Sequence, residues 1–239
     1  MTKLETHTTT RPALCDRCEK IKDLCVCDQL APLSTKHHVL ILQHPQEPDQ
    51  LLGSARLAHL SLPNSSLKIG LSWSNLKKVV GHETSPSQWA VLYLGSGVKG
   101  APRPEVSKTP QKDPSLQFVD KNGKPVPAPA EKLEGIIVLD GTWSQAKTLW
   151  WRNAWLLKCK RVILTPRQKS LYKELRKEPR RECLSTIESL AECLTALGED
   201  PQVETALKAT FGALLNKQRE RLKKKRTPIE VTQAEPTLD

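Results

Sequence analysis

The fold is decided between Gly135 and Trp143, where the chain runs Gly-Ile-Ile-Val-Leu-Asp-Gly-Thr-Trp. The apolar residues at 136–139 indicate a short buried strand. Asp140-Gly141-Thr142 then marks a turn, and residues 143–157 have helical character. A strand that passes through a tight turn into a helix is a building unit of α/β folds, so this stretch predicts one.

The same alternation of strands and helices continues on both sides of this stretch. Further strands are predicted at 38–43, 67–73, 89–94 and 161–164. Further helices are predicted at 50–62, 184–197 and 202–225. The alternation predicts an α/β fold with a largely parallel sheet and helices on both faces. Ligands of such sheets bind beyond the carboxyl ends of the strands, which here are the turns after Leu94, Leu139 and Leu164.

Four of the seven cysteines are clustered as Cys15-x2-Cys18-x6-Cys25-x-Cys27. Four thiolates complete the tetrahedral shell of a zinc ion, and the first pair has the usual knuckle spacing. The alternatives are four reduced structural cysteines, a redox pair or an iron–sulfur cluster. Because no nearby Glu and His pair suggests an open catalytic metal, we interpret the site as structural. An odd number of cysteines without a secretory signal favours a reducing, cytoplasmic compartment.

The charge of the chain favours a polyanionic partner. The 239 residues carry a formal net charge of +11, and the sequence pI is about 9.4. Because Lys and Arg release counterions when they bind phosphates, a basic excess of this size favours nucleic acid. Residues 217–226 include seven basic side chains, and this run either grips phosphates or is a solvated helix face.

The remaining segments indicate how the chain is divided. Residues 1–12 are polar and lack the apolar core of a secretory signal, so we expect a flexible leader. No apolar run is long enough to predict a membrane span. Residues 98–134 contain seven prolines and scattered apolar residues, which predicts a surface insertion with little regular structure. We expect a four-cysteine zinc knuckle at 13–30, an α/β domain at 31–226 and a disordered tail at 227–239.

Three further motifs identify a known family. Asp140-Gly141-Thr142-Trp143 resembles the Asp-x-Thr-Trp signature of the DTW-domain proteins. His44-Pro45-Gln46-Glu47 matches their His-Pro-x-Glu motif, and Leu-Ser-Thr-Ile-Glu at 184–188 matches their Leu-Ser-Thr-x-Glu segment. The Cys cluster resembles that of bacterial members. The motifs follow the family's order over roughly residues 15–215, whereas the insertion and a loosely matching basic segment at 176–181 depart from it.

The resemblance implies a tRNA-uridine aminocarboxypropyltransferase. Such enzymes transfer the 3-amino-3-carboxypropyl group of S-adenosylmethionine to N3 of a uridine in tRNA and release 5′-methylthioadenosine. Their fold is related to the SPOUT class, in which a C-terminal trefoil knot holds S-adenosylmethionine, so residues 31–226 would be the catalytic domain. The implied partners are tRNA and S-adenosylmethionine, and a monomer is expected. A SPOUT-type RNA methyltransferase and a non-catalytic zinc-knuckle tRNA-binding protein are the alternatives.

The resemblance also implies which residues form the catalytic site. Asp140 is the first candidate for the base that takes the uridine N3 proton, and Glu47 is the second. The alternatives for Asp140 are to hold the ammonium group of the donor, to orient the uracil, or to cap the following helix, a role that Thr142 also fits. Trp143 either stacks on a base or fills the core, and His44 is either a site residue or structural.

Two larger sets complete the predicted site. The cofactor-binding candidates lie in the three loops and are Leu94, Gly95, Ser96, Gly141, Thr142, Leu184, Ser185, Thr186 and Glu188. The alternatives are an ordinary turn at 95–97 and a capping box between Ser185 and Glu188. The RNA-binding candidates are basic and are Arg56, Arg180, Arg181, Lys223, Lys224, Lys225 and Arg226. Arg56 is alternatively a solvated charge.

Overall fold

A computed structural model describes residues 12–92, 115–129, 132–175 and 184–226 of the chain. The strands are β1 His38–Gln43, β2 Ser65–Ile69, β3 Trp89–Leu92, β4 Ser115–Val119, β5 Gly135–Asp140 and β6 Lys160–Thr165. The helices are α1 Ala55–Ser61, α2 Leu76–Val80, α3 Trp143–Arg152, α4 Thr186–Ala196 and α5 Pro201–Arg226. Short 3-10 helices lie at Lys22–Leu24, Cys27–Gln29, Pro86–Gln88, Ala154–Lys158 and Lys173–Leu175. The predicted leader up to residue 11 and the predicted tail at 227–239 lie outside the described residues.

The strands form one six-stranded sheet in the order β2-β1-β5-β3-β6-β4. The first five of these run parallel, and β4 lies antiparallel to β6 at one edge. Strand β5 lies between β1 and β3, and every one of its residues is buried. Gln43 of β1 is aligned with Asp140 of β5, so the two strands end at the same level. The largely parallel sheet that the alternation predicts is confirmed.

Helices cover both faces of the sheet, as predicted. Side chains alternate between the two faces along a strand; in β1, Ile41 belongs to one buried cluster and Leu42 to the other. The first cluster includes residues of α1, α4 and α5, and the second includes residues of α2 and α3. Because both faces are buried, the central strands are apolar along their length, which explains the uninterrupted runs in β1 and β5.

Strand β4 differs from the prediction, because it lies inside the Pro-rich segment 98–134. It pairs with β6 from Ser115 to Val119, and it buries Phe118. A turn held by the Asp120 carboxylate then returns the chain, so that the Val126 N–H donates to the Phe118 carbonyl at 2.9 Å. The expectation of little regular structure is wrong for 115–119. This strand is short, lies between prolines in the sequence, and pairs with one neighbour, β6, at the edge of the sheet.

Helix α2 is a second element that the sequence pattern misses. Its five residues are too few to show a helical period, although both of its ends carry the usual signals. The Asn75 side chain caps the first turn by accepting from the Lys78 N–H at 2.9 Å. Gly81 ends the helix in the left-handed conformation, with φ of 89°, which glycine adopts without strain.

The N-terminal Cys segment is packed on the rest of the domain. Leu24 is fully buried in the same cluster as residues of α1, α4 and α5. Lys217 of α5 donates to the Cys25 carbonyl, and Arg56 of α1 forms a 2.6 Å ion pair with Glu19. Residues 13–30 therefore share the core of the domain and contact α1 and α5 directly.

We compared the helices with the length and apolar character of a membrane span. Within the described ranges, none of them combines the length and the apolar character that a span requires.

Candidate active site

The Asp140 carboxylate lies where β1, β5 and α4 meet. Asp140 is the last residue of β5, and it is buried. Its Oδ2 accepts from the Gln43 side-chain amide at 2.8 Å, and its Oδ1 accepts from the Thr186 hydroxyl. Two donors from different elements therefore fix the orientation of this carboxylate, and they bring two of the predicted motifs into direct contact. Gln43 is a residue that sequence reasoning missed.

The turn after Asp140 is built around a close approach at Gly141. A Cβ on Gly141 would lie 2.8 Å from the Gln145 Cβ and 3.4 Å from the His44 Cβ, so only glycine fits there. Thr142 caps helix α3: its Oγ1 accepts from the Gln145 N–H, and its own N–H donates to Gln145 Oε1 at 2.6 Å. Of the two residues that the sequence offers as the helix cap, Thr142 has this role. The Asp140 side chain does not cap this helix and contacts Gln43 and Thr186 instead.

The His-Pro-Gln-Glu turn follows β1 and contacts the backbone of Asp140. The His44 N–H donates to the Asp140 carbonyl at 3.0 Å, and the His44 Nδ1 accepts from the Gln46 N–H. The Gln46 side chain accepts from Gln145 Nε2 at 3.0 Å, which ties this turn to α3. Glu47 is buried in the turn. The two acidic residues predicted for catalysis therefore belong to one connected group of turns.

Glu188 has a positioning role at the start of α4. Ser185 and Glu188 form the predicted capping box. Glu188 Oε2 also accepts from the Ser170 hydroxyl at 2.8 Å, and Oε1 accepts from the Leu171 N–H at 2.7 Å. Both carboxylate oxygens are thus engaged by protein donors. This geometry favours the capping alternative for Glu188 over direct contact with a cofactor, and it anchors the loop that follows β6.

Replacing Glu188 with Ala should destabilise the protein by about 3 kcal/mol or more, because several buried donors would lose their acceptor. The matched control is Glu174→Ala, which removes an exposed acid from the same loop and breaks only a surface ion pair with Arg219. The control should cost less than about 1 kcal/mol. Urea unfolding of both variants measures the difference, and equal midpoints would contradict the anchoring role.

Lys20 is a second residue that sequence reasoning missed. It lies between the two cysteine pairs and is buried, and its Nζ donates to the Gln50 carbonyl at 2.6 Å. Burial lowers the pKa of Lys20 to about 8, although the charges of Cys18 and Asp140 act in the opposite direction. The Cys segment thus brings a cation close to the acidic side of the site. A lysine between cysteines carries no sequence signal for this role, whereas Gln43 could have been noticed as the polar end of an apolar strand.

Trp143 is partly exposed at the first turn of α3. Its exposed fraction is 36%, so the interpretation of Trp143 as a core residue is wrong. Lys147, one helical turn later, places its Nζ 5.6 Å from the centre of the indole ring, within the range of a cation–π contact. The remaining interpretation of Trp143, contact with a base, stays a prediction.

The four clustered cysteines have the geometry of a metal site. Their Sγ atoms all lie within 4.8 Å of one another, and Cys15 Sγ is 3.8 Å from Cys27 Sγ. A tetrahedral zinc ion with Zn–S bonds of about 2.3 Å would separate its sulfurs by about 3.8 Å. Hydrogen bonds from the backbone at Cys18 and Arg17 lower the pKa of the Cys15 thiol to about 6, whereas burial raises the pKa of the Cys18 and Cys27 thiols, so the positive charge of a bound cation would be needed to keep all of them as thiolates. These four side chains therefore fit one divalent cation.

The remaining predicted site residues lie on other elements. Arg56 of α1 forms an ion pair with Glu19, and its charge helps to lower the pKa of Lys20. Lys223 and Lys224 are exposed near the end of α5. The other candidates lie outside the described residues or have side chains that do, and they are Leu94, Gly95, Ser96, Arg180, Arg181, Lys225 and Arg226.

Comparison with known proteins finds one matching family model and several relatives with related names. The model of the DTW domain matches residues 12–219. A Macaca fascicularis protein named tRNA-uridine aminocarboxypropyltransferase 2 is 29% identical over 84% of this chain and 61% of its own length. The Mus musculus protein of the same name is 29% identical over 87% and 64%, respectively. An Arabidopsis thaliana tRNA-uridine aminocarboxypropyltransferase A is 26% identical over 80% and 74%.

The chain spans a little over three fifths of the length of the first two relatives. No solved structure matches it significantly.

Proposed function

The chain belongs to the DTW-domain family, and from this premise we propose that it is a tRNA-uridine aminocarboxypropyltransferase. In this proposal it transfers the 3-amino-3-carboxypropyl group of S-adenosylmethionine to N3 of a uridine in tRNA. The names of its relatives support the reaction. The observation that carries the proposal is the contact of Asp140 with the Leu-Ser-Thr segment, through Thr186, and with the His-Pro-Gln-Glu turn, through its carbonyl.

The reaction proposed here requires positioning more than unusual groups. Uridine N3 loses its proton and attacks the methionine γ-carbon, and the bond between this carbon and the sulfonium sulfur breaks to leave 5′-methylthioadenosine. Asp140 suits the role of proton acceptor because its two hydrogen bonds fix it, while each carboxylate oxygen keeps a second lone pair. Glu47 is the second candidate, and the Lys20 cation offsets part of the negative charge of the pair.

S-adenosylmethionine is proposed to bind at the carboxyl ends of the strands. Two segments support this proposal: Gly141 and Thr142 directly follow Asp140, and Thr186, which Leu184 and Ser185 precede, contacts the Asp140 carboxylate. Leu94, Gly95 and Ser96, which come after β3 in the sequence, are proposed to belong to the same site. A C-terminal trefoil knot and a relation to the SPOUT class are part of the same proposal, and the largely parallel sheet with helices on both faces supports them.

The remaining parts of the proposal concern metal, compartment and partner. We assign structural zinc to the four clustered cysteines, supported by the fit of their Sγ atoms. None of the six described cysteines forms a disulfide, which suits a reducing cytoplasm. A monomer that holds tRNA through Arg56 and the basic end of α5 is in line with the net charge of +11.

The product tests the proposal directly. Purified full-length protein, an unmodified tRNA transcript and S-adenosylmethionine should give 5′-methylthioadenosine in equal amount to the modified uridine. A reaction without tRNA controls for slow decay of the donor, and mass detection after chromatography separates the products. S-adenosylhomocysteine with a methylated uridine would instead identify a methyltransferase. Tight tRNA binding without either product would identify a non-catalytic RNA-binding protein.

A further inference from the structure

The outer face of α3 carries two exposed tryptophans in line. Trp151 is 74% exposed and Trp143 is 36% exposed, while Ala146, Leu149 and Trp150 of the same helix are buried. Residues four apart lie on the same side of a helix, so Trp143 and Trp151 flank Lys147 in one stripe. Exposed apolar side chains are common when they are single, whereas a row of large ones that begins at a functional turn indicates a binding surface.

The stripe starts at the candidate active site and leads away from it. Trp143 directly follows Thr142, two residues after the Asp140-Gly141 turn. From Trp143 to Trp151 the helix rises about 12 Å. This distance accommodates about three bases stacked at about 3.4 Å, the spacing of nucleotides along one strand. A substrate bound at Asp140 would therefore have its neighbouring nucleotides within reach of α3.

The chemistry of the stripe selects a nucleic acid. Helix α3 contains Lys147 and Arg152 but no Asp or Glu, and the chain as a whole has a net charge of +11. Proteins that bind unpaired nucleotides combine aromatic side chains, on which bases stack, with cations that contact the phosphates. A hydrophobic partner protein would not need a cation in the centre of the row. A duplex would keep its bases inside and leave the indole rings without a partner.

We propose that Trp143, Lys147 and Trp151 form a stacking platform for the unpaired nucleotides that flank the target uridine. This inference rests on the proposed function, since it takes the RNA substrate as the occupant. Trp151 supplies a ring for a base at the far end of the stripe, and Lys147 contacts the phosphate between the two rings. The platform acts in binding and positioning, so Trp151 is not a catalytic residue.

Trp151→Ala in the full-length protein tests the platform. The affinity for an unmodified tRNA transcript should fall about tenfold, since stacking on an aromatic side chain contributes about 1–3 kcal/mol per base. Trp151→Phe should keep most of the affinity because a ring remains. The dependence of affinity on salt should stay unchanged in Trp151→Ala, whereas Lys147→Ala should reduce the slope by about one unit, because a phosphate contact is lost.

Leu157→Ala is the matched control, because Leu157 is another exposed apolar residue, just beyond the end of α3. It should leave tRNA affinity unchanged. Equal affinities of Trp151→Ala and Leu157→Ala would overturn the platform, as would loss of self-association in Trp151→Ala with tRNA affinity intact. Binding of S-adenosylmethionine and release of 5′-methylthioadenosine by the wild type are measured in parallel. If the wild type forms no product while Trp151→Ala still weakens tRNA binding, the proposed reaction fails and the platform stands.

Discussion

Asp140→Asn should reduce the rate of aminocarboxypropyl transfer by about 10²-fold or more, the usual contribution of a positioned base, while the protein stays folded. The structure indicates that this substitution removes the charge without removing a hydrogen bond. The new side chain keeps one oxygen to accept from the Thr186 hydroxyl. Its amide can donate to the side-chain carbonyl oxygen of Gln43 once the Gln43 amide turns over, so both hydrogen bonds are retained and only the negative charge is removed.

Asp140→Ala should lower activity at least as far, and it should also cost about 1–3 kcal/mol of stability, because Gln43 and Thr186 would lose their acceptor. Steady-state rates of 5′-methylthioadenosine release and urea unfolding separate the two effects. Glu83→Gln serves as the control, since Glu83 is a strongly exposed acid paired with Lys77. Near-normal turnover in Asp140→Asn would show that Asp140 only organises the turns, and Glu47→Gln would then be the next variant to assay.

Cys18→Ser should release the metal and destabilise the whole domain by several kcal/mol. Structural zinc contributes about 10–16 kcal/mol in isolated zinc-finger peptides, and here the cluster shares its core with α1, α4 and α5. We expect one zinc per chain in wild-type protein purified without a tag, and much less in the variant. A chelator should lower the melting temperature of the wild type towards that of the variant.

The control for metal release is Cys159→Ala, because Cys159 is buried outside the cluster. It should lose some stability through the small cavity it leaves, but it should keep its zinc. Elemental analysis and thermal unfolding of the three proteins are sufficient. Iron with visible absorbance in place of zinc would identify an iron–sulfur cluster. A wild-type protein that contains no metal and whose melting temperature a chelator does not change would contradict the metal site.

The fold was largely predictable because its central strands are apolar runs that end in clear turn signals. The run at 136–139 became β5, and its turn leads into α3 as expected. Strand β4 and helix α2 were not predictable in the same way. Each is only five residues long, and each is stabilised by tertiary partners that local sequence does not reveal.

The candidate site was predictable where motifs follow strands. Asp140 and Thr186 are 46 residues apart in the chain, yet they touch because both lie at the same edge of the sheet. The contribution of Gln43 depends on the register between β1 and β5, which the sequence does not specify. The contribution of Lys20 depends on how the Cys segment packs against the domain. Both are consequences of packing between distant segments.

The position of β5 between β1 and β3 has a consequence for biosynthesis. The ribosome makes β1 before β5, its partner on one side, and Gln43 and Asp140 are separated by 97 residues. Until the ribosome has made β5, the nascent chain carries an apolar strand, β1, with one unpaired edge. Such an edge favours aggregation, and pairing between distant strands is slow. The Cys segment reaches its last packing contact later still, because the Cys25 carbonyl accepts from Lys217, which lies 192 residues further along the chain. The four clustered cysteines lie within thirteen residues and can meet as soon as they are made, whereas the packing of their segment on the domain is complete only when α5 has been made.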